Sequence, residues 1–326
     1  MPDYSIPSGY SGSGRSSNNT GLKISDGDTI QINQAVRMLN IDTPEKRGGS
    51  FGNNDTAQTK LSIARERLEA GKFDGLIIDG LKAHLLSRLT TDAAKLHFRA
   101  GDHATKALVR AIRQRVGSFS DDLQPRLFVR SYQPYFDNYG RILAFAAPYY
   151  LKSELPDHGS PERKTYNLEM LELGHAAHFP IFPSIPKPED WNRAVNAAKE
   201  AWEDKRGQWH TDSGGPNVLL AYEFRAVMDL ALPLLKATKR NSTTKTWFET
   251  DVNEGLAERA NLEAAGWTVT ETNYSDMVSE AFSRHCINIS NWQYAGVQEY
   301  HTVEPWARLW VWPNEIDNAK NTLGIG

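Results

Sequence analysis

The stretch from Leu22 to Glu45 constrains the fold more than any other part of this 326-residue chain. Its β-branched residues predict two strands, Gly21 to Ile32 and Ala35 to Ile41, joined by a hairpin turn at Asn33 and Gln34. Pro44 ends the second strand, because proline lacks a backbone donor and restricts the residue before it. Into this short β unit the sequence sets Asp26, Asp28, Arg37, Asp42 and Glu45. A second cluster, Asp137-Asn138-Tyr139-Gly140-Arg141, lies far downstream. Carboxylates for a hard cation, a carboxylate for a base and two guanidinium forks for a phosphate are the groups that phosphodiester cleavage needs.

The two clusters resemble the signature of the staphylococcal nuclease (thermonuclease) family. The matching residues are Asp26-Gly27-Asp28-Thr29, then Arg37 followed by Ile41-Asp42-Thr43-Pro44-Glu45, then Asp137-Asn138-Tyr139-Gly140-Arg141. The resemblance spans residues 22–209, with an insertion over 48–99. It implies an α+β fold: a five-stranded OB-fold (oligonucleotide-binding) barrel with packed helices. The expected organisation is a disordered tail over 1–20, a nuclease-like domain over 21–213 with a helical insertion, and an α/β C-terminal extension over 216–326.

Asp28 and Asp42 are the expected direct metal ligands, with the Thr43 carbonyl as a third oxygen and Asp26 in an outer position that orients bound water. The resemblance implies calcium, and magnesium or manganese would suit the same oxygen set. Glu45 is the expected general base, and Arg37 and Arg141 the phosphate forks. The implied partner is DNA or RNA. No base-edge reader stands out, so little sequence preference is expected. One departure is Asn138, where the family often has Lys. Tyr139 remains for a phosphate or a stack, and Phe182, with Phe179, reads either as stacking on a nucleobase or as packing under a proline-rich loop. The alternative reading is a nucleic-acid-binding module on the same barrel that does not cut. Such modules typically lack the carboxylates or the base, and this sequence keeps them.

Net charge is only −3, but it is unevenly placed. Lys60 to Arg130 holds 14 Lys and Arg against 8 Asp and Glu, whereas Pro216 to Gly326 holds 9 against 14. The positive excess sits beside the motif region, as a one-faced nucleic-acid binder requires. Lys106, Arg110 and Arg113 recur on one face of a helix predicted from an Asp102 N-cap to Val116, which reads either as a solvated helix surface or as a phosphate-facing rail.

No run of about twenty apolar residues predicts a membrane span. The Ser-, Gly- and Asn-rich start has no hydrophobic segment of a signal peptide, so a cytoplasmic protein is expected, or a secreted one if a leader precedes it. Cys286, the single cysteine, reads as a small buried hydrophobe. Further helices are expected over Asp55 to Glu69, Tyr166 to Ala177, Pro188 to Trp209, Val218 to Leu235, Asn253 to Ala265 and Ser275 to His285. Strands are expected over Arg126 to Tyr132, Ile142 to Ala147, Trp267 to Thr272 and Arg308 to Trp312. No chemical motif is recognised beyond residue 216.

Overall fold

The structure, a computed structural model, describes residues 22–24, 30–32, 35–47, 51–116, 127–157, 159–213, 215–240 and 243–325. Asp26, Asp28 and the turn expected at Asn33 and Gln34 lie outside them, as does the N-terminal tail. β1 (Leu22–Ile24) and β2 (Ile30–Ile32) pair antiparallel with each other, which corrects the single strand expected over Gly21 to Ile32 and its expected pairing with the strand from Ala35. β3 (Val36–Met38) is followed by β4 (Ile41–Asp42) across a turn at Leu39 and Asn40.

Three helices come next: α1 (Asn54–Glu69), α2 (Asp79–Leu86) and α3 (Ala93–Val116). The Asn53 side chain caps α1 by accepting the Thr56 N–H at 2.9 Å. Ala57, Leu61, Ala64 and Leu68 are buried along one face of that helix. The start expected for α3 at Asp102 is corrected: the helix begins at Ala93 and runs through Gly101 and Asp102 without a break. Ala94, Phe98, Ala104, Ala107 and Ala111 keep a continuous buried face, which outweighs the local cap signal.

β5 (Leu127–Phe136) and β6 (Ile142–Pro148) pair antiparallel, and β6 also pairs with β3 in parallel. α4 (Tyr166–Glu172) leads to β7 (Ala177–His178), which pairs antiparallel with β4. The α+β class stands. Among the described residues, however, the β1–β2, β3–β6–β5 and β4–β7 groups are separate sheets and no closed barrel forms.

α5 (Pro188–Glu203) and α6 (Ala221–Leu230) follow. The helix expected over Val218 to Leu235 with an interruption at Pro233 ends at Leu230, and the residues after the proline form β8 (Leu235–Lys239) instead of more helix. β9 (Thr244–Trp247), α7 (Val252–Ala257), α8 (Arg259–Ala264) and β10 (Trp267–Glu271) complete a small α/β layer with strand order β10–β8–β9. α9 (Tyr274–Ala281) stops short of the expected His285. His285 instead opens β11 (His285–Asn288), the middle strand between β12 (Gln293–Gly296) and β13 (Arg308–Val311). Cys286 and Ile287 are fully buried there, in a short apolar run whose period does not separate strand from helix. α10 (Ile316–Leu323) ends the described chain.

One hydrophobic interior joins Leu61, Leu68 and Phe98 of the expected insertion to Phe224, Met277, Ile287 and Leu309 beyond residue 216. Each such side chain stabilises the fold by about 1.5–3 kcal/mol on burial. Arg67 of α1 ties the same halves together through polar contacts. Its guanidinium is buried and donates to the Leu230 and Leu232 carbonyls at 2.9 and 2.8 Å, which caps the end of α6.

Candidate functional site

β4 carries the centre of the site. Asn167 of α4 holds the turn before it: its Oδ1 accepts the Ala146 N–H at 3.0 Å and its Nδ2 donates to the Leu39 carbonyl at 2.8 Å. The Asn40 carbonyl accepts the Phe179 N–H at 2.9 Å and links the turn to the segment after β7. Asp42 then falls inside the protein, with 1% of its side chain exposed.

A buried carboxylate is unfavourable unless compensated, and two arginines compensate this one. Arg37 Nη2 donates to Oδ1 at 2.7 Å, and Arg225 Nη2 donates to Oδ2 at 2.6 Å. Burial opposes ionisation, but the Arg225 and Arg37 guanidinium groups outweigh it and hold the carboxyl below its usual value. Arg225 also reaches Glu45, whose Oε1 accepts from Nη1 at 2.5 Å. One guanidinium therefore bridges both carboxylates of the Asp42-Thr43-Pro44-Glu45 segment.

Glu45 is fixed from three sides. Its N–H donates to His97 Nε2 at 2.9 Å. His97 Nδ1 donates in turn to the Leu219 carbonyl at 2.9 Å, which sets the neutral tautomer. Burial pushes His97 down to about 3. Its ring stacks on Phe224 of α6 with centroids 3.9 Å apart. α3 also passes so close to this segment that a Cβ on Gly101 would lie 2.3 Å from the Glu45 carbonyl oxygen and 2.7 Å from that of Pro44. Glycine at 101 is what lets the helix serve as a floor for Glu45.

α6 is itself anchored by Glu223. Its carboxylate accepts the Leu220 N–H at 3.0 Å and pairs with His84 Nε2 at 2.7 Å. Burial disfavours the charge, yet the His84 hydrogen bond and nearby cations hold Glu223 down to about 2. Arg225 is thus presented from a helix locked on both sides.

Arg284 completes the cluster. Burial pushes its guanidinium down to about 10, with Arg225 and Arg37 adding repulsion and Asp42 attraction. Its Nε is buried and has no hydrogen-bond partner, and the group lies 4.5 Å from the Trp312 ring centroid. Asp229, one turn after Arg225 on α6, is raised to about 6 by burial and by Glu280. Sequence reasoning missed Arg225, Arg284, His97 and Asp229. The legible signal was Ala221-Tyr222-Glu223-Phe224-Arg225-Ala226-Val227-Met228-Asp229-Leu230, where three charges interrupt an otherwise apolar helix and so call for partners.

The other expected residues are placed as follows. Arg141 stands on the Asp137–Arg141 turn between β5 and β6, where its Nε donates to Asp137 Oδ2 at 2.7 Å. Its guanidinium is 5.4 Å from the centre of the exposed Tyr139 ring. Arg37 is in register with Leu143, and the Ile142 N–H donates to the Ala35 carbonyl. Lys106, Arg110 and Arg113 are exposed on α3. At about 1.5 Å per residue they lie roughly 8 to 18 Å along the axis from Gly101.

Phe182 is a correction: it is 4% exposed within the main core and cannot stack on a base. Its N–H donates to the Trp310 carbonyl, so β13 holds the segment inside. His178 is also buried, pushed down to about 4, with Nδ1 donating to the Trp306 carbonyl.

A hard cation needs free carboxylate oxygens. Both oxygens of Asp42 are bound by arginine, Thr43 adds only a neutral carbonyl, and Asp26 and Asp28 lie outside the described residues. Among the described residues no group of three His, Cys, Asp or Glu side chains could hold a metal ion. As arranged, the described donors fit an oxyanion and do not by themselves fit a cation. No helix of the described residues is long and apolar enough to cross a membrane. Comparison with protein-family models, curated proteins and solved structures finds no match to this chain.

Proposed function

We propose that the chain is a nuclease of the staphylococcal type that hydrolyses phosphodiester bonds of DNA or RNA with little sequence preference. The observation that carries this reading is the charge arrangement at β4. Two guanidinium groups, Arg37 and Arg225, meet at the carboxylates of Asp42 and Glu45, and a third, Arg284, stands within their field over the Trp312 ring with its Nε buried and without a partner. Positive charge left uncompensated in a partly dry site favours a bound oxyanion, and planar forks match phosphate oxygens in pairs. Arg141, on the turn before β6, would add a further fork. The barrel of this reading would draw its five strands from β1, β2, β3, β5 and β6.

In this reading the phosphate takes over the Arg225 guanidinium, which frees Glu45. The Glu45 carboxylate, still fixed through its backbone by His97, then accepts a proton from the attacking water. Arg37 and Arg225 follow the charge as it grows on the phosphate oxygens. The calcium implied by the resemblance would need Asp28 and Asp26 to join Asp42 and one guanidinium to yield, and no step here is routed through it. The exposed row Lys106, Arg110 and Arg113 would guide the polyanion.

The test is cleavage of plasmid and single-stranded DNA and of RNA across a panel of divalent cations and in excess chelator. Glu45→Gln should keep binding and lower turnover at least about 100-fold, the scale of general-base loss. Unchanged turnover would remove Glu45 from the chemistry, and cutting in chelator would remove the metal. A second reading, a binding module that does not cut, is favoured by the locking of both carboxylates by Arg225. Nucleic acid bound but never cleaved under any cation would select it.

A further inference from the structure

A cavity of about 1050 Å³ opens between the β5–β6 pair, α4, α5 and the turn at Asn40. None of Arg37, Asp42, Glu45 or Arg141 lines it, so it is not the site described above. Its volume is at the upper end of small-molecule sites. One face of the sheet supplies an aromatic wall. Phe128 of β5 is in register with Ala147 of β6, and Arg130 with Phe145, so alternation brings all four to the lining. Leu39, Ile41 and Leu168 continue the apolar surface.

The polar groups of the lining are unevenly committed. Asn167 is spent on the Ala146 N–H and the Leu39 carbonyl, the Thr165 hydroxyl accepts the Leu168 N–H at 3.2 Å, and the Tyr150 hydroxyl donates to the Glu162 carbonyl at 2.8 Å. The Asn40 amide and the Ser160 hydroxyl are closed off from solvent. Free polar capacity is left at the mouth, in two guanidinium groups. Arg163 Nη1 donates to the Pro156 carbonyl at 3.3 Å. Arg193 Nη2, from α5, lies 2.6 Å from where a Cβ on Gly159 would stand. The Ser160 N–H donates to the Asp157 carbonyl at 3.1 Å, so Pro156 and Gly159 sit at one tight turn and both guanidinium groups rest on it. Both side chains are exposed, and neither pairs with a carboxylate among the described residues. The acids of the lining do not cancel them. Glu172 is held by Lys164, Glu200 lies 3.8 Å from Arg206, and Asp190 alone is left against Lys152, Arg163 and Arg193.

A pocket that is apolar along its walls and cationic at its mouth complements a molecule with one apolar part and one anionic end. Apolar walls favour the first part by removing it from water, and planar forks match a carboxylate or a phosphate in pairs. We propose that this cavity binds an amphipathic anion, a small molecule whose apolar body lies against Phe128 and Phe145 and whose carboxylate or phosphate sits on Arg163 and Arg193. This goes beyond the nuclease reading and does not depend on it.

The experiment is titration calorimetry of the full chain with two anions, octanoate and 2-naphthyl phosphate, their neutral counterparts octanol and 2-naphthol, and inorganic phosphate. At least one anion should bind about tenfold or more tighter than its neutral counterpart, the scale of one charge-assisted hydrogen bond, and tighter than inorganic phosphate. A preference for octanoate assigns a fatty carboxylate, and a preference for 2-naphthyl phosphate an aryl phosphate. Replacing both arginines, Arg163→Ala with Arg193→Ala, should remove the advantage of the anion and leave the neutral compound unchanged. Phe128→Ala, at a side chain 51% exposed and so dispensable for folding, should weaken anion and neutral compound alike. An oligothymidylate should not displace the bound anion. The proposal is overturned if neither anion binds, if the neutral compounds bind as tightly, if the double substitution leaves anion binding unaltered, or if the oligothymidylate competes, which would make the cavity part of a polyanion path.

Discussion

Asp42 and Asp137 both pair with arginine at nearly the same distance, 2.7 Å to Arg37 and 2.6 Å to Arg141. Everything else about them differs. The partners of Asp137 lie within four residues: the Tyr139 and Arg141 N–H groups, both 2.9 Å from Oδ1, and the Arg141 side chain. Asp42 takes one partner five residues away and another, Arg225, 183 residues away. Asp137 is partly exposed, with 17% of its side chain accessible against 1% for Asp42. The hairpin pair is made by five consecutive residues. The pair at β4 exists only when α6 has docked on α1 and α3, so its integrity reports the whole fold.

Acid should separate the two regions most sharply. In the unfolded chain His97 takes up a proton near its ordinary 6.5, and in the folded chain only near 3. Between those values the unfolded state holds the extra proton, so stability falls as pH drops through that window. At about 1.4 kcal/mol per unit, the loss by pH 3 is on the order of 5 kcal/mol. His178, pushed down to about 4, adds to the slope in the upper part of the same window. Denaturant melts from pH 7 to 3 should show this decline, and His97→Gln should flatten it while lowering stability at pH 7. An unchanged slope in that variant would mean that His97 does not titrate as its burial requires. The Asp137 hairpin has no buried histidine; burial opposes the charge of its carboxyl, but the hydrogen bonds and charge of Arg141 together outweigh it and hold the carboxyl low.

Removing the charges comes next in size. Asp42→Asn leaves Arg37 and Arg225 facing each other without their anion, and breaking a buried pair costs about 3–5 kcal/mol. Asp137→Asn keeps an Oδ1 acceptor for the two backbone N–H groups and loses a half-exposed pair, worth about 1 kcal/mol or less. Urea midpoints of the two variants give the comparison directly. Equal costs would mean that the pair at β4 is as solvated as the hairpin.

The same contrast explains what could be read in the sequence. The turn at Asp137 to Arg141 and the helix at Asn54–Glu69, with its Asn53 cap, are determined by neighbours, and local patterns capture them. Arg37, Asp42 and Glu45 were legible because they crowd into nine consecutive residues, across β3, β4 and the exit of β4. Arg225 shows a need for a partner, because it interrupts an apolar helix, but nothing near it or Arg284 in the chain points to Asp42. Phe182 was misplaced for the same reason: the strand that covers it, β13, is remote in sequence. Gly101-Asp102 mimicked a helix start, since both residues are common at helix ends, and only the neighbouring Pro44–Glu45 backbone reveals why glycine stands inside a helix.

That glycine sets up the smallest and most pointed test. Gly101→Ala would gain about 1 kcal/mol of helix propensity, yet the new Cβ would meet the Glu45 carbonyl at 2.3 Å. The backbone must move, and overpacking of this sort costs about 1–3 kcal/mol. The movement pulls Glu45 from His97, so the acid slope assigned to His97 should shift along with the stability. Gly140→Ala costs a similar amount, about 1–2 kcal/mol, for a different reason: its φ of 74° is the left-handed region. That strain stays in the hairpin and should leave the acid slope untouched. If both substitutions lower stability but only the one at 101 alters the pH dependence, the two arginine–carboxylate pairs are independent structures. If the one at 140 alters it equally, the hairpin and the β4 cluster form a single cooperative site, and the contrast between Asp42 and Asp137 is one of burial alone.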